Sequence, residues 1–146
     1  MNAIDNTTLT LLFKLGHDTY GLEIDAIQEI VEDPVEHVVP KAGGVVRGAI
    51  NFHGNILAVI DLPVLLAIPE GRRDRRRLVL TPALRALVLT ITELERISKL
   101  DLSTLQPPTQ EHAGRAVRGM LSHENRTVHL LDIGIVLQKL DTLSLD

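Results

Sequence analysis

The sequence predicts a mainly β protein built as two small barrels packed on each other. Three observations lead there. One stretch of the chain is written twice, 71 residues apart: "VRGAINFHGNILAVIDLPVLL" (Val46–Leu66) and "VRGMLSHENRTVHLLDIGIVL" (Val117–Leu137). Apolar and polar residues alternate with a period of two in several short segments, the mark of strands with one buried face. The 146 residues contain three aromatic side chains, Phe13, Tyr20 and Phe52, so the core must be assembled from Leu, Val, Ile and Ala.

The elements follow in order. "TLTLLFKLG" (Thr8–Gly16) is short, β-rich and closed by glycine. In "HDTYGLEI" the apolar positions Tyr20, Leu22 and Ile24 alternate with polar neighbours. Ile24, Ile27, Ile30 and Val31 also suit a helical turn, so a short helix-like turn at Asp25–Ile27 should lead into the next strand. Pro40 and Gly43-Gly44 make a loop. "GAINF" and "NILAVID" then form a hairpin whose turn is His53-Gly54, because glycine at the second turn position supplies the positive φ of a tight turn. Asp61 is expected to cap a short helix, "LPVLLAI", with Pro63 in its first turn.

"PEGRRDRRR" (Pro69–Arg77) separates two halves, approximately 9–68 and 76–140. Five of its residues are arginine, and it reads as a solvated linker or hairpin tip without an apolar face. The second half runs through "RLVLTP", "RALVLTI" and "TELERISKLDLSTLQPP" to a boundary at Pro107-Pro108. A second hairpin joins "AVRGMLS" to "RTVHLLD". Asp132 can cap a C-terminal helix, whose Ile133, Val136, Leu137 and Leu140 share one face.

Across the 21 aligned pairs of the repeat, Val46, Arg47, Gly48, Asp61 and Leu66 are identical to their partners, and eight more pairs are apolar in both. Chance would give about one or two identities at average residue usage. Upstream, Ile27 pairs with Ile91 and Glu29 with Glu93. The period exceeds the roughly 20–50 residues of a solenoid unit. A single half would be marginal alone, so a shared apolar seam between the two is expected.

Composition excludes several functions. The net charge is −4, which argues against nucleic-acid binding. There is no cysteine, which removes disulfides and thiolate chemistry and fits a reducing compartment. No signal peptide is expected at "MNAIDNTTLT", and no apolar run reaches the ~20 residues of a membrane helix. The histidines at 17, 37, 53, 112, 123 and 129 show no close ligand spacing and read as surface or turn residues, so no metal or other cofactor is expected. Ser98, Ser103 and Ser122 lack a nucleophile context, and Gly43-Gly44 lacks the lysine of a phosphate loop. A small β-barrel enzyme or ligand binder would instead show a closed polar pocket of converging titratable groups.

The order of these pieces resembles the CheW-type chemotaxis coupling proteins. The resemblance is carried by "FKLG" (Phe13–Gly16), "YGLEI" (Tyr20–Ile24), "IQEI" (Ile27–Ile30), Pro40, "GAINFHG" (Gly48–Gly54) and "ILAVIDL" (Ile56–Leu62). "RALVLTITEL", the Pro107 loop, "VRGML" and "LLDIGIVL" match more loosely, and the whole covers residues ~9 to 140. The resemblance implies two SH3-like five-stranded barrels around a common aliphatic core, with short helices including a C-terminal one. It implies a non-enzymatic, cytoplasmic adaptor that joins the regulatory domain of a CheA-type histidine kinase to the cytoplasmic tip of chemoreceptors, associated with membrane-bound arrays but not inserted in the membrane. By the motif match, Ile27, Glu29, Gly48, His53 and Gly54 fall at partner contacts, and Ile91 and Leu94 on the surface facing the other partner.

The chain departs from the family pattern at His53, where the family has arginine, at Ala58, where it has proline, and at Leu89-Thr90, where an aspartate is usual. Histidine lacks the permanent charge and planar donor fork of arginine, so a contact with a carboxylate would be weakened or replaced. The departures point to an alternative, a divergent relative that binds one partner or serves a pilus or gliding pathway.

Overall fold

The computed structural model describes residues 6–38, 44–69 and 71–143. Pro40 and Gly43 of the expected loop, and Glu70 of the arginine-rich stretch, lie outside the described residues.

The strands are β1 (Thr7–Leu15), β2 (Asp18–Glu23), β3 (Ile27–Glu32), β4 (Val46–Phe52), β5 (Asn55–Asp61), β6 (Arg76–Leu80), β7 (Leu87–Thr90), β8 (Glu93–Asp101), β9 (Val117–His123) and β10 (Arg126–Leu131). Three helices are short or terminal: α1 (Leu62–Leu65), α2 (Gln110–Ala113) and α3 (Ile133–Leu143). A 3-10 turn at Ile24–Ala26 leads into β3, where the sequence placed a helix-like turn.

The strands form two five-stranded sheets, ordered β8-β1-β2-β10-β9 and β3-β6-β7-β5-β4. Each has the same plan. A hairpin (β1β2 or β6β7) pairs in parallel with the last strand of another hairpin (β10 or β5), and a lone strand (β8 or β3) covers the outer side. The repeat is therefore structural, but the halves 9–68 and 76–140 do not each make one sheet. The first sheet combines β1β2 from the first half with β8–β10 from the second; the second sheet combines β3–β5 with β6β7. Each barrel is shared between both halves. This exchange ties them together, because neither sheet closes without strands from the other half.

Burial explains why both sheets curl. In the first sheet, Leu100 on edge strand β8 and Leu121 on the opposite edge β9 join Leu12 and Val128 in one buried cluster. In the second, Val31 on β3 packs with Ile50 and Phe52 on β4, again from opposite edges. The other faces meet in a larger shared core containing Leu11, Phe13, Tyr20, Leu78, Leu80 and Leu89. Both faces of β7 are buried, which is why Leu87–Leu89 reads as a continuous apolar run rather than an alternation. The expected aliphatic seam is present. Truncating one of its leucines to alanine costs about 2–5 kcal/mol.

The repeated glycine has a steric cause. The chain before each hairpin crosses back over the edge strand, forming the bridges His37↔Ala49 and Gln106↔Met120. A Cβ on Gly48 would lie 2.2 Å from the His37 carbonyl oxygen; one on Gly119 would lie 2.7 Å from that of Gln106. Both hairpins turn through two residues of positive φ: His53 (51°) and Gly54 (86°), then Glu124 (51°) and Asn125 (63°). That geometry matches the twist of the flanking strands.

Two expectations are corrected. Asp132 caps α3, accepting the Ile135 N–H at 3.2 Å. Asp61, its repeat partner, makes no such bond to α1. Its buried carboxylate accepts instead from Arg73 Nε (2.9 Å) and Thr90 Oγ1 (3.1 Å). The arginine-rich stretch is solvated only in part, at the exposed Arg72 and Arg75. Arg77 is buried, and Asp74 accepts hydrogen bonds from the backbone of Arg76 and Leu94 and from the Arg76 guanidinium. Burial acts to raise the Asp74 pKa, but the Arg76 and Leu94 hydrogen bonds prevail and hold it well below the ordinary 3.8. Because Arg76 opens β6 and Leu94 lies in β8, this carboxylate joins the two sheets. An apolar face is unnecessary where charges are paired.

Candidate partner-binding surfaces

The first surface is the hairpin end of the second barrel. The left-handed turn projects His53 outward, with its side chain 71% exposed. The Gly54 N–H donates to Asn51 Oδ1 at 2.9 Å, which braces the turn from its own strand. The imidazole leans edge-on against Phe52, with ring centroids 4.3 Å apart. Its Nε2 is 3.7 Å from Glu29 Oε1. Glu29 is on β3 and His53 follows β4, the two outermost strands of the sheet, so closure of the barrel brings them together. Beside them opens a concavity lined by Gln28, Ile56, Leu57, Leu80 and Pro82. Ile56 is an exposed large apolar residue there, 69% accessible. An open apolar surface next to the polar His53–Glu29 contact suits docking of another protein.

The second surface is an open groove of about 550 Å³ where the two sheets meet, lined by Leu22, Ala26, Ala83, Leu84, Leu131 and Ile133. Its floor is tied by the Thr81 N–H donating to the Ala26 carbonyl at 2.9 Å. One rim carries an ion pair, Arg118 Nη1 to Glu23 Oε1 at 2.9 Å. A groove with an apolar floor and charged rim fits an amphipathic helix. The sequence anticipated such a groove, but it runs between sheets that both halves build.

The structure brings some of the expected contact residues together and buries others. Glu29, His53 and Gly54 share the exposed hairpin end. Ile27, at the start of β3, is half-buried and packs on the shared core. Gly48 lies under the crossing chain at His37. Ile91 is fully buried, and Leu94 is half-buried against the same core. Neither Gly48 nor Ile91 lines one of the two concavities. Ile56 and Leu84, which line the two concavities, were not among the expected contacts. Their signal was an apolar residue in a strand or loop with no buried partner face, which a sequence does not display.

Two separate surfaces on one rigid β frame define a binding scaffold. The chain matches the family described as "CheW-like domain" over residues 9–141 and belongs to it. The family consists of non-enzymatic scaffolding proteins of chemotaxis. Over 131 residues the chain is 21% identical to the chemotaxis protein CheW of Rhizobium meliloti (strain 1021), covering 86% of this chain and 84% of that protein. It shares its fold with the scaffolding protein TtCheW from Thermoanaerobacter tengcongensis. The TM-score is 0.75 at 21% identity, over 86% of this chain and 89% of that one. Among the described residues no helix is long and apolar enough to cross a membrane.

Proposed function

We propose that this chain is a cytoplasmic adaptor that couples a CheA-type histidine kinase to the cytoplasmic tip of a chemoreceptor within membrane-associated arrays. The observation that supports this best is the presence of two non-overlapping surfaces, because coupling requires two partners to be held at once. The hairpin end around Glu29, His53 and Ile56 takes the regulatory domain of the kinase. The groove between the sheets takes a receptor helix on Leu22, Leu84 and Ile133.

The test is to measure binding of the chain to a kinase regulatory domain and to a receptor tip separately. Ile56→Asp should weaken the kinase interaction at least about tenfold, or 1.4 kcal/mol, and leave the receptor interaction within about twofold. Leu84→Asp should do the reverse. Failure of the unaltered chain to bind either partner would end this reading. His53 favours a second one, a relative that has lost one partner. In that case one interaction is absent from the start, and His53→Arg gains nothing on that side, whereas a two-partner adaptor tolerates the change or binds more tightly.

A further inference from the structure

Away from both surfaces, three side chains from three elements converge over the parallel pair in the first sheet. Asp18 opens β2, His112 is on α2, and His129 is on β10. One potential ligand atom of each lies within 4.8 Å of the other two. His112 is held from both ends: its Nδ1 lies 2.8 Å from Thr109 Oγ1 and its Nε2 3.2 Å from Asp18 Oδ2. His129 is 6% exposed, and its buried Nδ1 has no hydrogen-bond partner. A buried imidazole nitrogen without a partner in the protein calls for an explanation.

We propose that Asp18, His112 and His129 form a site for a divalent transition-metal ion of the zinc class, with water completing four-coordination. Nitrogen and carboxylate donors are the set such an ion takes, at about 2.0–2.2 Å. Donors on a tetrahedron of that size stand about 3.3 Å apart. The Asp18–His112 pair already has this spacing. Thr109 supplies the supporting contact: with Nδ1–H donating to Thr109 Oγ1, the Nε2 lone pair is left free for the ion. The half-exposed Asp18 carboxylate provides the path of entry.

Binding requires one movement. The two imidazoles stack with centroids 3.8 Å apart and planes 5° from parallel, so both lone pairs cannot reach one ion until a ring turns. The gain is a staple. β2 and β10 pair through only three residue pairs, and the ion ties that seam to the chain segment carrying α2.

Tyr20 makes the test direct. It is the only tyrosine, there is no tryptophan, and its ring centroid is 5.3 Å from that of His129. The untagged, chelator-treated full chain is titrated with Co²⁺, following visible absorption and Tyr20 emission, and Zn²⁺ is then used to displace it. One equivalent should bind at pH 7.5, quench the emission and raise Tm. His112→Ala should lower affinity about 100-fold, and Asp18→Asn, at a half-exposed position, at least about tenfold. Absence of a saturable change in the unaltered chain would overturn the proposal. Unchanged binding in Asp18→Asn and His112→Ala would do the same, placing the ion on the exposed His17, His37 or His53. Either result leaves the adaptor reading untouched.

Discussion

The two barrels share a topology and differ at the parallel pair at their centres. In the second sheet β5 meets β7 through Ala58↔Leu87, Val59↔Val88, Ile60↔Leu89 and Asp61↔Thr90. In the first, β10 meets β2 through Val128↔Thr19, His129↔Tyr20 and Leu130↔Gly21. Ala58 and His129 occupy the same place in the repeat, yet Ala58 is exposed and His129 is buried. His112, on the chain between β8 and β9, stacks on His129 and covers it. Backbone pairing preserved the plan of both barrels, while one side chain and one connection changed the chemistry at a single position. Asp61 and Asp132 teach the same lesson. Identical residues at equivalent places do different jobs, because Arg73 and Thr90 reach one of them and a long helix begins at the other.

Substitutions in equivalent pairs can break or sharpen this comparison. The largest effect is expected at the repeated glycine. Gly48→Ala should cost about 4 kcal/mol in urea unfolding, because its Cβ meets a backbone oxygen, and Gly119→Ala about half as much. At Gly119 part of the crowding comes from the Leu105 side chain, which can shift. Equal costs would mean that the two crossings are equally rigid. Next, Asp61→Ala should cost about 3 kcal/mol, since it strands the mostly buried Arg73 guanidinium. Asp132→Ala should cost about 1 kcal/mol, as the loss of a helix cap does. Equal values for the two aspartates would show that Asp61 works as a cap after all.

The smallest effect is a pH slope. The folded His129 pKa lies below the unfolded 6.5, chiefly through burial and then through His112. The unfolded chain therefore binds more protons below about pH 6.5. Stability should be complete above that pH and should decline as pH falls toward the lowered folded value, by at most about 1.4 kcal/mol per unit for one proton. His129→Ala, which installs the residue found at position 58, should flatten that decline when unfolding is followed in metal-free buffer. Asp18, Glu111, Arg115 and Tyr20 also face the ring or its surroundings. A slope that persists unchanged in the variant would show that His129 is not its source.

Much of the fold was legible because it rests on short-range rules. Period-two alternation located β2, which is central to its sheet and proves buried on both faces from Thr19 to Leu22, and the His53-Gly54 turn declared itself through glycine. The two copies of "VRG" marked the places where a crossing chain presses on the strand. The exchange of strands between halves was not legible, since nothing local distinguishes β1β2 pairing with β10 from β1β2 pairing with β5. The arginine-rich stretch misled for a related reason. Charges separated in sequence from their partners, such as Arg73 from Asp61 or Asp74 from Leu94, look solvated until folding pairs them. At the candidate surfaces the motif located Glu29, His53 and Gly54, but Ile56 and Leu84 became visible only once neighbouring strands had left them uncovered.

By itself, then, the amino-acid sequence determined that this chain forms strands, turns where it does, and contains a duplication with too few aromatics for anything but an aliphatic core. Those properties follow from residue-by-residue conformational preference and from the periodicity of burial. Only the tertiary structure decided which hairpin completes which barrel, which of two identical aspartates carries a buried ion pair, and that Asp18, His112 and His129 meet. Each of these depends on contacts between residues far apart in the chain. Such contacts are selected by the packing of the whole shared core rather than by any local pattern.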